Sequence, residues 1–389
     1  MRRVINRLVV PVLAALVVLG TGGPAFADAQ PGGKLFVGGS FGTAGATTAT
    51  SIAAWDGVDW SGLVGPNGEG ADSTVTAMTM YNGKLIVGGS FIEAGGETVS
   101  GIASWDGTDW EPFVSPSGAV GVTVAPLGFV SSLVVYNGDL YAGGMFPRAG
   151  GTVDVNNIAR WNGAEWFALP GPSGAVGTEN HGSVIAPVWD LTVVDGLLIA
   201  AGEFTSIGGV AVNSVGAWNG TTWSSLNQPI ADATIMAVTS FNGRLVASRS
   251  YVVDNFNVGD VVWRDGGQWS VLGGDPQGRM NGSPRDLIVH NGNLIAGGEF
   301  TQAAGITVNR VAQWNGSAWS ALSGPSGTGA SGTVHALASH AGFLFVGGAF
   351  GQAGGVTANN IARWNGSAWS ALAGSANGTD SIVLELLST

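Results

Sequence analysis

The chain has no cysteine in its 389 residues. Disulfides and thiolate metal sites are therefore excluded, and stability has to come from packing. Charge is scarce as well: a tenth of the residues are charged, with 14 basic against 26 acidic, a formal net charge of −12. An acidic chain with few lysines and arginines offers no basic patch, which argues against nucleic acid or an anionic membrane as partner. No Gly-x-Ser-x-Gly elbow and no phosphate-binding loop is present, so serine hydrolysis and nucleotide chemistry have no support. The four histidines, His181, His290, His335 and His340, show no metal-ligand spacing, and no cofactor is expected. Long apolar runs are missing too, with one exception at the start of the chain.

That exception reads as an export signal. Arg2, Arg3 and Arg7 precede the apolar stretch Leu8 to Leu19, and Ala25-Phe26-Ala27 supplies a small-x-small cleavage site. The stretch is shorter than the ~20 residues a membrane helix needs. Residues 1–27 are thus expected to be a signal peptide, and residues 28–389 a single soluble domain secreted to the periplasm or beyond. Loss of the three leader arginines leaves 11 basic against 26 acidic residues, a net charge of −15.

What the chain has in abundance is glycine, 66 residues, and a repeated tryptophan pair. IASWDGTDW (Ile102 to Trp110) recurs as IAAWDGVDW, IARWNGAEW, VGAWNGTTW, VVWRDGGQW, VAQWNGSAW and IARWNGSAW. The pairs are Trp55/Trp60, Trp105/Trp110, Trp161/Trp166, Trp218/Trp223, Trp263/Trp269, Trp314/Trp319 and Trp364/Trp369, leaving only Trp189 outside the motif. A period near 50 residues signals a repeat architecture.

Each repeat reads as four strands. In the second, these are Val75 to Tyr81, Lys84 to Phe91, Ile102 to Trp105 and Asp109 to Phe113, with turns at Asn82-Gly83 and Asp106-Gly107. Asn-Gly and Asp-Gly favour type I′ hairpin turns, in which both central residues have positive φ. Tandem glycines such as Gly88-Gly89 and Gly347-Gly348 suit a close approach of another backbone. A sheet of some 50 residues cannot cover both faces alone, so the units must stack. The expected fold is all-β, a seven-bladed β-propeller of four-stranded antiparallel blades. The first repeat lacks its first strand, and Ser381 to Leu386 (SIVLEL) follows the last repeat unassigned. The C-terminal strand is therefore expected to join the first blade and close the ring, hiding two sheet edges.

The order NGKLIVGG, an apolar strand ending in Trp-Asp-Gly, then a late tryptophan, resembles kelch repeats. The fuller unit GGxFxxAGG…IAxWNGxxW is similar to kelch-like repeats of secreted bacterial proteins and of fungal cortical cell-polarity proteins. The resemblance covers nearly all of residues 28–389 and implies a propeller; it is nearly silent on chemistry, because propellers host binding proteins and enzymes alike. Galactose oxidase-type enzymes share such blades, but their copper site needs a cysteine that this chain lacks.

Departures from the repeat mark candidate sites. The innermost strand carries a small residue at its third position, Ala77, Ser132, Ala237 or Ala336, except for Asp190 and Asp286 in the fourth and sixth repeats. The same two repeats carry Glu203 and Glu299 after the second strand. Each Asp/Glu pair is expected to be diagonal across a hairpin, roughly 7–8 Å apart, where the acids either share a cation such as Ca²⁺, hold a raised pKa, or simply accept backbone hydrogen bonds. Trp189, beside Asp190, suits stacking on a sugar ring or plugging a gap between blades. His181 sits with Glu179 and Asn180 in the longest loop and reads as a solvated residue. In the fifth repeat Ser248-Arg249 replaces the diglycine, which reads as a decayed repeat rather than a ligand-specific loop. Of the Asn-Gly-Ser/Thr sequons at Asn219, Asn281, Asn315, Asn365 and Asn377, three are the Trp-Asn-Gly turn itself.

Two functions are compatible with this reading. The first is a monomeric extracellular scaffold that binds a protein or a glycan through the long loops on one face. The second is a polysaccharide-acting hydrolase or lyase with carboxylates at the channel mouth.

Overall fold

A computed structural model describes residues 33–124, 128–180, 186–226, 233–274, 278–372 and 377–389. Residues 1–27, the expected signal peptide, and His181 lie outside these residues. The fold is all-β. The described residues form seven four-stranded antiparallel sheets, accompanied by short two- and three-stranded ribbons in the loops. In the second sheet the strands are Val75–Tyr81, Lys84–Gly89, Ile102–Trp105 and Trp110–Pro112, close to the expected bounds.

The first sheet takes its inner strand from the end of the chain. Val383–Ser388 pairs antiparallel with Leu35–Gly39, with Leu35 opposite Ser388 and Gly38 opposite Glu385. The seven inner strands are neighbours in cyclic order, and Val383–Ser388 lies beside both Thr333–His340 of the seventh sheet and Val75–Tyr81 of the second. Residues nearly 350 apart in sequence thereby share one sheet.

The diglycine serves two contacts. A Cβ on Gly88 would come within 2.6 Å of Val130 Cγ1 in the next blade, and one on Gly89 within 2.0 Å of the Thr74 carbonyl oxygen. The first glycine admits a neighbouring blade's side chain, and the second admits its own sheet's inner strand. Only the second is the backbone approach expected from the sequence.

The tryptophans pair across the outer hairpin, Trp105 opposite Trp110, with ring centroids 5.3 Å apart. The second indole of a pair reaches the preceding blade: Trp110 Nε1 donates to the Leu63 carbonyl at 3.1 Å, Trp223 to Leu169 at 3.2 Å and Trp369 to Leu322 at 2.9 Å. These pairs thus join two sheets by packing and by an indole hydrogen bond, whereas Trp60 and Trp166 Nε1 find no partner among the described residues.

The two kinds of turn differ. At Asn82-Gly83 both φ values are positive, 50° and 78°, as a type I′ turn requires. At Asp106-Gly107 only Gly107 is positive, at 106°, contrary to expectation. There the Asp106 carboxylate accepts the amides of Thr108 and Asp109, both at 2.8 Å, and this Asx-type closure spans four residues between the tryptophans. Asn219, Asn315 and Asn365 close their turns in the same way.

The fifth repeat is not decayed. Its middle strands, Arg244–Val253 and Phe256–Asp265, are extended to 10 residues each, and Asp254-Asn255 turns the chain with positive φ at both residues. At the base of this hairpin Arg249 replaces the second glycine and forms a buried bidentate pair with Asp260, at 2.7 and 2.8 Å. Tyr251 also donates to Asp260 at 2.9 Å. The charge that breaks the repeat pattern is compensated locally, and the sheet keeps its four-stranded order.

Candidate functional site

Every inner strand carries an irregularity in its pairing at one level. In the second sheet Val75 faces Gly89 and Ala77 faces Gly88; in the fourth, Val188 faces Gly202 and Asp190 faces Ala201; in the sixth, Pro284 faces Gly298 and Asp286 faces Gly297; in the first, Val383 faces Gly39 and Glu385 faces Gly38. One extra residue is thus inserted per strand, a β-bulge that re-aims the side chains around it. The bulge gives the channel two successive tiers of side chains near the end that carries the long loops.

The inner tier consists of Glu385, Ala77, Ser132, Asp190, Ala237, Asp286 and Ala336, one from each sheet. Three of the seven are acids. Asp190 Oδ2 accepts the Val238 amide of the next blade at 2.7 Å, while Oδ1 accepts Ser132 Oγ of the preceding blade at 3.1 Å and its neighbour's amide, Leu191, at 2.7 Å. Asp286 repeats the arrangement with the amides of Leu337 and Leu287, both at 2.7 Å. Glu385 meets the Met78 amide. Each acid therefore stitches its blade to the next through a backbone amide.

The upper tier contributes Trp189, Arg285 and His335 to a cavity of about 220 Å³ whose floor includes Asp190, Asp286 and Glu385. The acids are only partly exposed, their remaining contact with water being through this narrow space. Protein on all sides disfavours the ionised forms. Desolvation raises Asp190 to about 6, and desolvation followed by repulsion from Asp190 raises Asp286 to about 7. Glu385 is pushed well above the usual carboxylate range by desolvation and then by the charges of Asp286 and Asp190. Burial, with the Arg285 charge second, lowers His335 to about 4, so it is neutral at neutral pH. Trp189 stacks on Phe129 at 5.5 Å and 20°, forming an aromatic wall at the rim.

The acids singled out in sequence separate into two groups. Asp190 and Asp286 line one cavity, whereas Glu203 and Glu299 are not among its walls. The register does put Glu203 two residues beyond Ala201, the partner of Asp190, but Glu203 is exposed. Glu299 accepts a hydrogen bond from Arg285 Nε at 3.0 Å. Among the described residues no group of three or more His, Asp or Glu side chains is placed to hold a metal ion. The cavity thus brings Asp190 and Asp286 together and leaves Glu203 and Glu299 outside its lining.

Glu385 was not singled out by its sequence, although a signal exists. Val383-Leu384-Glu385 aligns with Val188-Trp189-Asp190 and with Val75-Thr76-Ala77 once the closing strand is treated as an inner strand. Arg285 and His335 occupy the middle position of the same triplet.

Together the sheets and the channel define an all-β propeller. No protein-family model matches the sequence, and no curated protein matches it. Among solved structures, the chain is similar to one described as the Dos1 propeller, with 9% identity over 92% of this chain and 88% of that one at a TM-score of 0.45. It is similar also to the structure of YjhT, with 14% identity over 74% and 94% at 0.42, and to a polysaccharide lyase described as an ulvan lyase, with 12% identity over 84% and 87% at 0.39. At these values the likenesses carry no argument about activity.

Proposed function

We propose that this protein is an exported propeller that binds the terminal residue of an extracellular glycan at the channel mouth. The observation that carries the reading is the conjunction of the Trp189–Phe129 wall with the polar floor of one cavity. A sugar ring has apolar C–H faces that stack on an indole and a rim of hydroxyls that needs donors and acceptors. Asp190, Asp286 and Glu385, whose carboxyls burial makes easier to protonate, offer both. The cavity, at about 220 Å³, is smaller than the roughly 300–1,000 Å³ of most ligand pockets, which favours end-on entry of one residue over a long chain. The expected leader and the kelch-like repeats support an extracellular role.

The test is a glycan array followed by calorimetric titration of the best binder. The wild type is expected to bind, and Trp189→Ala to weaken binding at least about tenfold, the loss of one base-sized stacking contact, while remaining folded at the assay temperature by circular dichroism. A blank array, or unchanged binding by Trp189→Ala, overturns the reading.

The second reading, glycan cleavage, is favoured by one observation: two carboxyls raised to about 6 and about 7 in the same cavity, a range suited to general acid–base work. Asp286→Asn distinguishes the two. Loss of product formation with binding retained supports an enzyme; absence of any product from the wild type supports a binder.

A further inference from the structure

The opposite face, which carries the tight turns, holds a second cavity at the seam between the first and seventh sheets. The sequence Ile-Ala-Arg-Trp occurs twice, in Ile158–Trp161 and Ile361–Trp364, and the two arginines meet different surroundings. In the third blade Arg160 lies 3.5 Å from the Asp139 carboxylate and 4.8 Å over the Phe167 ring. In the seventh blade the residue equivalent to Asp139, the first after the inner turn, is Phe343. The Arg363 guanidinium lies 4.8 Å over Phe343 and 5.5 Å from the Trp55 ring, and its Nε donates to Ser370 Oγ at 3.1 Å. Among the described residues no carboxylate lies within ion-pair distance of Arg363. Elsewhere on this face Lys84 pairs with Glu111, and Arg244 with Asp265 at 3.0 Å.

The cavity beside Arg363 measures about 450 Å³ and is walled by Trp55, Phe343, Phe345, His340 and Asp56. The two titratable walls are already engaged. Asp56 Oδ1 accepts the amides of Val58 and Asp59 at 2.9 and 2.8 Å, and those bonds hold its pKa below the ordinary value. His340 Nδ1 is 2.9 Å from Ser388 Oγ, and burial lowers its pKa. Asp56 is closed onto its own turn by backbone amides and forms no ion pair with Arg363, whose guanidinium is set among aromatic rings.

We propose that this seam cavity binds a small organic carboxylate with a planar apolar body. The carboxylate takes the Nη side of the Arg363 guanidinium, whose Nε is held by Ser370, and the apolar body lies against the partly exposed Phe343 ring. Planar bidentate recognition is what arginine provides and lysine does not. The site is independent of the channel mouth and of the function proposed for it.

Benzoate is a suitable probe, with benzamide as its uncharged counterpart of the same shape. By calorimetry or ligand-observed NMR, benzoate is expected to bind saturably, and benzamide at least about tenfold more weakly, the equivalent of one charge-assisted hydrogen bond. Phe343→Asp, which rebuilds the ion pair of the third blade inside the cavity, is expected to abolish benzoate binding. Arg363→Gln provides the same loss without a new charge, and Trp189→Ala in the channel leaves the affinity unchanged. No binding of benzoate, equal binding of benzamide, or retention of benzoate by both seam variants overturns the proposal.

Discussion

Asp190 and Val238 belong to neighbouring blades, yet the carboxylate of one accepts the amide hydrogen of the other at 2.7 Å. The bulge that brings Asp190 toward the channel also leaves the adjacent inner strand with an amide that its own hairpin does not use. The acid therefore has a structural task whether or not a ligand ever meets it. Asp286 does the same with Leu337 at 2.7 Å. This double duty decides how the site must be tested, since removing a side chain here disturbs both cohesion and chemistry.

The raised acids predict a pH dependence of stability. Asp190 and Asp286 release their protons near pH 6 and 7 in the folded protein but near pH 4 in the unfolded chain. Between about pH 4 and 7 the unfolded state therefore holds fewer protons, and stability falls as pH rises through that window, then levels off. Denaturant titrations at pH 4.5 and 7.5 are expected to differ by on the order of 2 kcal/mol from this source, after allowance for the water the cavity admits. Asp286→Asn is expected to flatten the slope, and an unchanged slope in that variant contradicts the assignment.

The two glycines of the second blade predict unequal penalties. Gly88→Ala places a methyl 2.6 Å from Val130 Cγ1, and Gly89→Ala places one 2.0 Å from the Thr74 carbonyl oxygen. A side chain can give way where a backbone cannot. Gly88→Ala is expected to destabilise by about 1–3 kcal/mol, as overpacking does, and Gly89→Ala by more. In a double-mutant cycle Val130→Ala should recover part of the first penalty and none of the second.

The buried pair of the fifth blade predicts strong coupling. The side chains of Arg249 and Asp260 are 4% and 1% exposed, so losing either leaves a charge stranded. Asp260→Ala is expected to cost about 3–5 kcal/mol by chemical denaturation. Replacing both residues by leucine should cost much less than the two single changes together, because no unpaired charge remains. Additive losses would show that the pair is not the compensation described for this hairpin.

The indole hydrogen bonds predict a difference between blades. Trp110 donates to Leu63 at 3.1 Å, whereas Trp166 Nε1 has no partner among the described residues. Both are nearly fully buried, at 2% and 3% exposure. Trp110→Phe should therefore destabilise by about 1 kcal/mol more than Trp166→Phe, the net worth of one hydrogen bond, because the Leu63 carbonyl keeps the Gly70 amide. Thermal unfolding of the two variants compares them directly.

Much of this architecture was legible in the sequence because it is local and repeated. The Trp–Asn–Gly–x–x–Trp spacing sets a hairpin wherever it occurs, since a short polar side chain followed by glycine can close a turn without help from elsewhere. Alternating and continuous apolar runs likewise placed Val75–Tyr81 and Lys84–Gly89 within a few residues, and Asp190 and Asp286 stood out against the alanines of their sister repeats. Tertiary structure alone decided what those acids meet. Glu203 and Glu299 fall outside the cavity that the aspartates line, while Glu385 joins the aspartates there because Val383–Ser388 pairs with Leu35–Gly39. It also turned the fifth repeat from an apparent lapse into a built hairpin, because the partner of Arg249 is chosen by strand pairing, and left Arg363 beside an aromatic seam because its neighbour Trp55 lies some 300 residues away in the chain. The physical reason is common to all of these: backbone periodicity is written residue by residue, but the electrostatic surroundings of a side chain depend on which blade is packed against it.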